Sequence, residues 1–316
     1  MNKLLATTAD SLPSPPPEYR KRGPDARRAF TLVELLVVIG IIALLIAILL
    51  PALNRARKIA AEVKSLSGMR QLMYGYTAYH VDNRGDLLYG YTPDTIAGKA
   101  VKAEDVRSGN AVTGQPARRY PWRLLKYCSN VWPIIHAHAA IPPLPQRGDD
   151  AATVSGKAYS LSVNPTYGIN ATFVGGSTDM DGFVDTNTTP GGPPMYTPNR
   201  GKHIAFKTTD VHRPTELIVF TDAYSTVVQT STNEVTGFHV AMPPRAGGLA
   251  RWTVDPAKGV AVSLRGAELI GVPHGWFTKN VVTGFFDGHA EARRPDQLLD
   301  MRLWCDRAAS PDYDYK

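Results

Sequence analysis

The chain has 316 residues, 43% of them hydrophobic, enough to bury a core in one large domain or two modest ones. Its 27 glycines and 25 prolines favour a loop-rich fold over a helical bundle. A formal charge of +7 would suit nucleic acid, but +3 of it lies in residues 1–29 (Lys3, Arg20, Lys21, Arg22, Arg27 and Arg28 against Asp10, Glu18 and Asp25). With no RNP, zinc-finger or helix-turn-helix pattern in the rest, nucleic-acid binding is not expected.

Residues 1–29 are polar and Pro-rich, with Arg20-Lys21-Arg22 and Arg27-Arg28 near their end. Such a composition buries no core, so a disordered leader is expected. From Phe30 the character changes. Sixteen residues between Glu34 and Pro51 carry no polar side chain, and with Phe30–Val33 the run reaches roughly the twenty needed to cross a bilayer as a helix. No small-residue cleavage site follows, as it would after a secretory signal. A plain signal anchor, never processed, is the simplest reading. Glu34 does not suit it, because a carboxylate in a membrane segment is costly and marks function by default.

Arg28-Ala29-Phe30-Thr31-Leu32-Val33-Glu34-Leu35-Leu36-Val37-Val38-Ile39 resembles the processing motif of type IV prepilins and type II secretion pseudopilins. The resemblance implies cleavage by a prepilin peptidase between Ala29 and Phe30, and N-methylation of Phe30. Glu34 then matches the family's acidic residue at position five of the mature chain. Pro51 falls where pilin helices commonly carry a proline. Ala29 stands where the family usually has Gly, and the leader is long. The implied partners are the peptidase, other pilin or pseudopilin subunits and the inner-membrane assembly platform. The implied location is the bacterial inner membrane, with the leader cytoplasmic and the head outside. Cleavage would expose an amine with a pKa of about 7.7–8.0. Glu34 of one subunit could pair with that ammonium on its neighbour, relieving two charges inside lipid. Counting basic residues adds only a modest bias, since Arg55, Arg57, Lys58 and Lys64 follow the span.

Beyond Pro51 the helix is expected to continue. Ile59, Val63, Leu66, Met69, Met73, Tyr76 and Tyr79 recur at spacings of three and four, an amphipathic stripe read as core. The helix should end near Asn83-Arg84-Gly85, where Gly can turn left-handed. Residues 30–84 thus form a pilin-like helix, with 30–53 in the membrane and bending points at Gly40 and Pro51. Residues 85–316 read as a loop-rich head. Glu216–Asp222 and Val281–Phe286 look like strands, and Asp287-Gly288 before His289-Ala290-Glu291-Ala292 signals a hairpin with a type I′ turn. The expected fold is α+β, with one antiparallel sheet packed on the soluble half of the helix.

The head also resembles a large subfamily of prepilin-like proteins with a C-terminal His-x9-Asp-Gly motif. The match rests on Tyr167–Asn170, Arg213–Ala223 and the set His274, Asp287 and Gly288. Here twelve residues, not nine, separate His274 from Asp287. His274 and Asp287 could pair as base and orienter, or as a structural hydrogen bond between loop and hairpin; no nucleophile context accompanies them. Asp179, Asp181 and Asp185 surround Gly182, an oxygen-rich turn that suits Ca²⁺ or is simply an exposed acidic loop. The calcium loop of major pseudopilins is a further resemblance. His136 and His138 lack a third ligand, so zinc is not expected. Cys128 and Cys305 could be free thiols or, in an exported head, a disulfide, towards which the reading leans. No Walker A motif or dinucleotide fingerprint appears. The chain reads as a structural subunit and not an enzyme. The alternative is a membrane-tethered enzyme or carbohydrate-binding module that uses the prepilin signal for delivery.

Overall fold

The computed structural model describes residues 31–316 except 93–94, 97–98, 106–107, 129–130, 139, 178–202, 226–235, 247–248, 265–269 and 315–316. The chain divides into two units, one ending at Leu53 and one running from Asn54 to Lys316.

Helix α1 (Leu32–Asp82) is 51 residues long. Its first part is apolar on every side and exposed throughout, long and apolar enough to cross a membrane. Pro51 lies inside the helix without ending it.

In the second unit α1 buries one face: Ser65, Gly68, Met69, Leu72, Met73, Gly75, Tyr76 and Tyr79. The expected stripe is therefore half right. Met69, Met73, Tyr76 and Tyr79 are core and Leu66 is partly covered, but Ile59 and Val63 stay 53% and 59% exposed. The covered face begins only at Ser65 and includes two glycines that hydrophobic periodicity does not count. One of them, Gly75, lets the helix backbone meet the head closely; a Cβ there would sit 2.3 Å from the Cys128 sulfur. The helix closes where expected. The Gly85 amide reaches back to the His80 carbonyl at 2.7 Å, with Gly85 at φ +84° and Arg84 also left-handed at φ +55°.

After α1 come two small hairpins, β1 (Thr95–Ile96) with β2 (Lys99–Ala100), and β3 (Ala103–Asp105) with β4 (Asn110–Val112). Four helices follow: α2 (Gln115–Arg118), α3 (Tyr120–Leu124), α4 (Val131–Ile135) and α5 (Ala151–Val163). Asp150 caps α5 by accepting the Thr153 amide at 2.8 Å. These helices were not anticipated from the sequence.

The main sheet is built on β6 (Ile218–Ser225), buried at every position as a central strand should be. It pairs antiparallel with β5 (Tyr167–Ile169), β7 (Thr236–Gly237), β12 (Ile270–Pro273) and β13 (Val281–Phe285), and β13 pairs in turn with β14 (Ala290–Arg293). Two further ribbons lie between them, β8 (Arg245–Ala246) with β9 (Leu249–Ala250), and β10 (Trp252–Asp255) with β11 (Val260–Ser263). The single expected sheet is thus one six-stranded sheet and four two-stranded ribbons among the described residues.

The hairpin falls where Asp-Gly signals it, but its turn is different. Gly288 is left-handed at φ +95° and Asp287 is not. The Gly288 amide bonds the Phe285 carbonyl and the Phe285 amide bonds the His289 carbonyl, each at 2.9 Å. That is a three-residue loop with a glycine bulge rather than a two-residue type I′ turn.

The core has two clusters. One joins Met69, Leu72, Met73 and Tyr76 of α1 to Tyr120, Trp132, Tyr167 and Phe220. The other gathers Ile218, Phe285, Trp252, Leu298 and Trp304. Gly284 lets α1 approach β13, since a Cβ there would lie 2.7 Å from the Met69 sulfur. The fold is α+β, a long helix packed on a sheet-based head.

Candidate assembly site

The start of α1 explains how Glu34 is held. Thr31 precedes the first helical residue and Glu34 stands three positions later. The Thr31 amide donates to Glu34 Oε2 at 2.9 Å, and the Thr31 hydroxyl donates to the same oxygen at 2.8 Å. The Glu34 amide donates back to Thr31 Oγ1 at 3.2 Å. This reciprocal pair is a capping box, which satisfies amides that a helix start leaves without partners. The carboxylate is thereby folded back toward the amino end, where the helix dipole favours negative charge. Among the described residues, the cap uses only Oε2. Sequence reading placed a carboxylate in the span; the Thr31-to-Glu34 spacing was the signal that it is also a cap. Ala29 and Phe30 lie outside the described residues.

The C-terminal motif does not assemble as a pair. Asp287 bonds within its own turn, accepting the His289 amide at 3.1 Å and meeting His289 Nδ1 at 2.5 Å. His274 lies among aromatic rings instead, 4.7 Å from Tyr224 and 5.0 Å from Trp276 between centroids. Trp276 in turn stacks on His138 at 3.7 Å. The proposed His274–Asp287 hydrogen bond is therefore replaced by two local arrangements, because a three-residue turn keeps the Asp287 carboxylate over its own hairpin. Burial pushes the His138 imidazole down to about 4 and the His136 imidazole likewise. The two rings bond different groups: His136 Nε2 donates to the Leu161 carbonyl at 3.1 Å, and His138 Nδ1 meets Thr166 Oγ1 at 2.6 Å. The carboxylates Asp179, Asp181 and Asp185, weighed for calcium, lie outside the described residues.

The disulfide is corrected. Cys128 and Cys305 are both free and buried, each in a different core cluster. Burial raises both thiols to about 11, which keeps them protonated.

Sequence reading missed a buried carboxylate. Asp222 lies in β6 and is 1% exposed. Its Oδ2 accepts the Val282 amide at 2.8 Å, while Oδ1 has no partner among the described residues. Burial, with the Glu62 charge nearby, holds its carboxyl well above the ordinary aspartate range. Glu62, on α1, accepts the Thr278 hydroxyl and so ties the β12–β13 connection to the helix. One turn further on, Ser65 bonds the Tyr167 hydroxyl at 2.7 Å.

Residues 25–50 match the family described as the prokaryotic N-terminal methylation motif. The chain is prepilin-like at its amino terminus. The matched segment contains Thr31, Glu34 and the apolar run, so the capping box lies within it. The match ends before the head. No solved structure matches the chain.

Proposed function

We propose that this chain is a structural subunit of a type IV pilus-like or type II secretion pseudopilus assembly. A prepilin peptidase cuts it between Ala29 and Phe30, and the new amino terminus is methylated. The methylation motif over residues 25–50 carries this reading. The apolar, uncovered start of α1 supports a single-pass anchor, with the head outside the cytoplasm. Glu34 presents Oε1 to the Phe30 ammonium of a neighbouring subunit while Oε2 holds its own cap. The role is structural and not enzymatic. The partners are the peptidase, other pilin-type subunits and the membrane platform that assembles them.

Mass spectrometry of the mature protein tests this directly. The amino-terminal peptide should begin with N-methyl-Phe30. An intact leader in cells with active peptidase would sink the assignment. Ala29→Gly should be cut at least as well as the parent, whereas Ala29→Leu should block cutting.

A further inference from the structure

Buried cations are rare in folded proteins and are normally paired. Arg118 and Arg119 follow one another where α2 meets α3, and they are only 6% and 5% exposed. Arg118 Nε donates to the Thr92 carbonyl at 2.6 Å, and its guanidinium lies 4.1 Å over the Tyr91 ring. Arg119 is held less fully. Among the described residues no carboxylate pairs with it, and its company is neutral. Its guanidinium lies 4.5 Å over the Tyr159 ring and 5.9 Å from the Tyr91 ring. Its Nη1 donates a long bond of 3.4 Å to the Ser162 hydroxyl. Its Nε is buried with no partner among the described residues. A buried lysine or histidine can shed its proton, but a guanidinium stays charged. The tyrosine rings offset only part of that charge.

The surroundings of Arg119 add donors and positive charge. Single bridges pair Tyr91 with Arg119 on one side and Ser177 on the other, which sets the three side chains on one face. The Ser177 hydroxyl, like Arg119 Nε, is buried with no partner among the described residues. His239 packs against Tyr91, 6.5 Å between ring centroids. Burial, and after it the Arg119 charge, hold the His239 imidazole well below its usual value. In a guanidinium, Nε–H and a neighbouring N–H run parallel, spaced for two oxygens of one carboxylate or phosphate. Tyr159 stands between this edge and solvent, half-buried on α5. Side chains on a helix lean over the preceding turn. That turn holds Gly156, which is exposed and has open space where a Cβ would be, so Tyr159 has room to swing aside.

We propose that Arg119, between Tyr91 and Tyr159, binds one oxyanion: the carboxylate or phosphate group of a small acidic ligand. Arg119 supplies the charge and the fork, the Ser177 hydroxyl lies on the same face, and Tyr159 is the cover that admits the ligand. The site belongs to the head and does not depend on how the amino terminus is processed.

Isothermal titration calorimetry of the full chain in detergent tests this, with inorganic phosphate and acetate as probes in chloride buffer of constant ionic strength. At least one probe should bind saturably, one per chain. Binding of phosphate alone identifies a phosphorylated ligand, of acetate alone a carboxylate, and of both a fork that reads the oxyanion whatever carries it. Arg119→Lys keeps a charge but loses the fork, and Arg119→Gln loses both. Each should weaken binding by about tenfold or more. Arg302→Gln, at an exposed arginine paired with Asp300, should leave it unchanged. A second readout needs no variant: modification of Arg119 by phenylglyoxal, mapped by mass spectrometry, should slow when the probe is saturating. A parent that binds neither probe overturns the proposal. So does binding that survives in a folded Arg119 variant, or a saturating probe that leaves Arg119 modification as fast as before.

Discussion

Asp222→Asn should stabilise the head, and increasingly so as pH rises. Asp222 is buried in the central strand with Oδ2 on the Val282 amide and Oδ1 unpartnered among the described residues. Burial is the main cause that raises its carboxyl, with the negative charge of Glu62 adding to it. In the unfolded chain an aspartate ionises near pH 3.9. Below that pH both states hold the proton and the site contributes no penalty. Above it the unfolded chain releases its proton while the folded head keeps it. Folding stability then falls by about 1.4 kcal/mol per pH unit until the folded carboxyl also ionises. Asparagine does not titrate, so it removes this loss. Its Oδ1 can accept the Val282 amide, as Asp222 Oδ2 does. Each kcal/mol moves the melting temperature of a domain of this size by about 2–4 °C, so each pH unit of that slope is about 3–6 °C. Asp222→Asn should therefore gain about 3–6 °C on the parent for each pH unit above 3.9 over which the folded carboxyl keeps its proton, and converge on it near pH 4. Tryptophan fluorescence of the full chain in detergent, followed from pH 4 to 8, reads both curves. A difference constant with pH, or a variant less stable at pH 8, would refute the reasoning.

Glu34→Gln keeps a side-chain oxygen for the Thr31 capping box but removes the charge, whereas Glu34→Ala removes both. If assembly depends on charge, both variants should insert and be cut normally while losing crosslinks to neighbouring subunits; a Gln variant that crosslinks like the parent leaves Glu34 as a cap alone. Tyr167→Phe should cost about 1–3 kcal/mol, because its buried hydroxyl donates to the Ser65 carbonyl at 2.9 Å and accepts from the Ser65 hydroxyl. A double-mutant cycle with Ser65→Ala in denaturant should show coupling of at least 0.5 kcal/mol, and strictly additive losses would contradict this contact.

Much of the helix and of the final hairpin was readable from residue pattern alone. The apolar run, the Thr31-to-Glu34 spacing and Gly85 mark the start and end of α1, and Asp287-Gly288 marks the turn. The turn type was not readable, because Asp-Gly serves a two-residue and a three-residue loop equally well. The hydrogen bonds from Phe285 and Gly288 decide it. Helix α5 was missed because it buries small or polar residues, Ala158 and Ser162 beside Val154 and Leu161, which leave a weak periodic signal. Its Asp150 cap was visible in retrospect. Ile59 and Val63 obey the helical period yet face outward, since periodicity says which residues share a face and not where a partner begins. Asp222 carried no signal at all: a carboxylate in an apolar strand looks like the strand's end until β12 and β13 cover it.

The two unpaired thiols have a practical consequence. A head without a disulfide between Cys128 and Cys305 needs no oxidant to reach its fold, and its stability should be indifferent to the redox poise of the compartment. The thiols also report on different parts of the molecule. Cys128 lies against the α1 backbone at Gly75, and Cys305 sits in the cluster with Trp304. Lifting of the helix from the head would uncover Cys128, and opening of the second cluster would uncover Cys305. The rates at which the two are modified therefore act as separate clocks for the two openings, built into the native sequence and needing no added label.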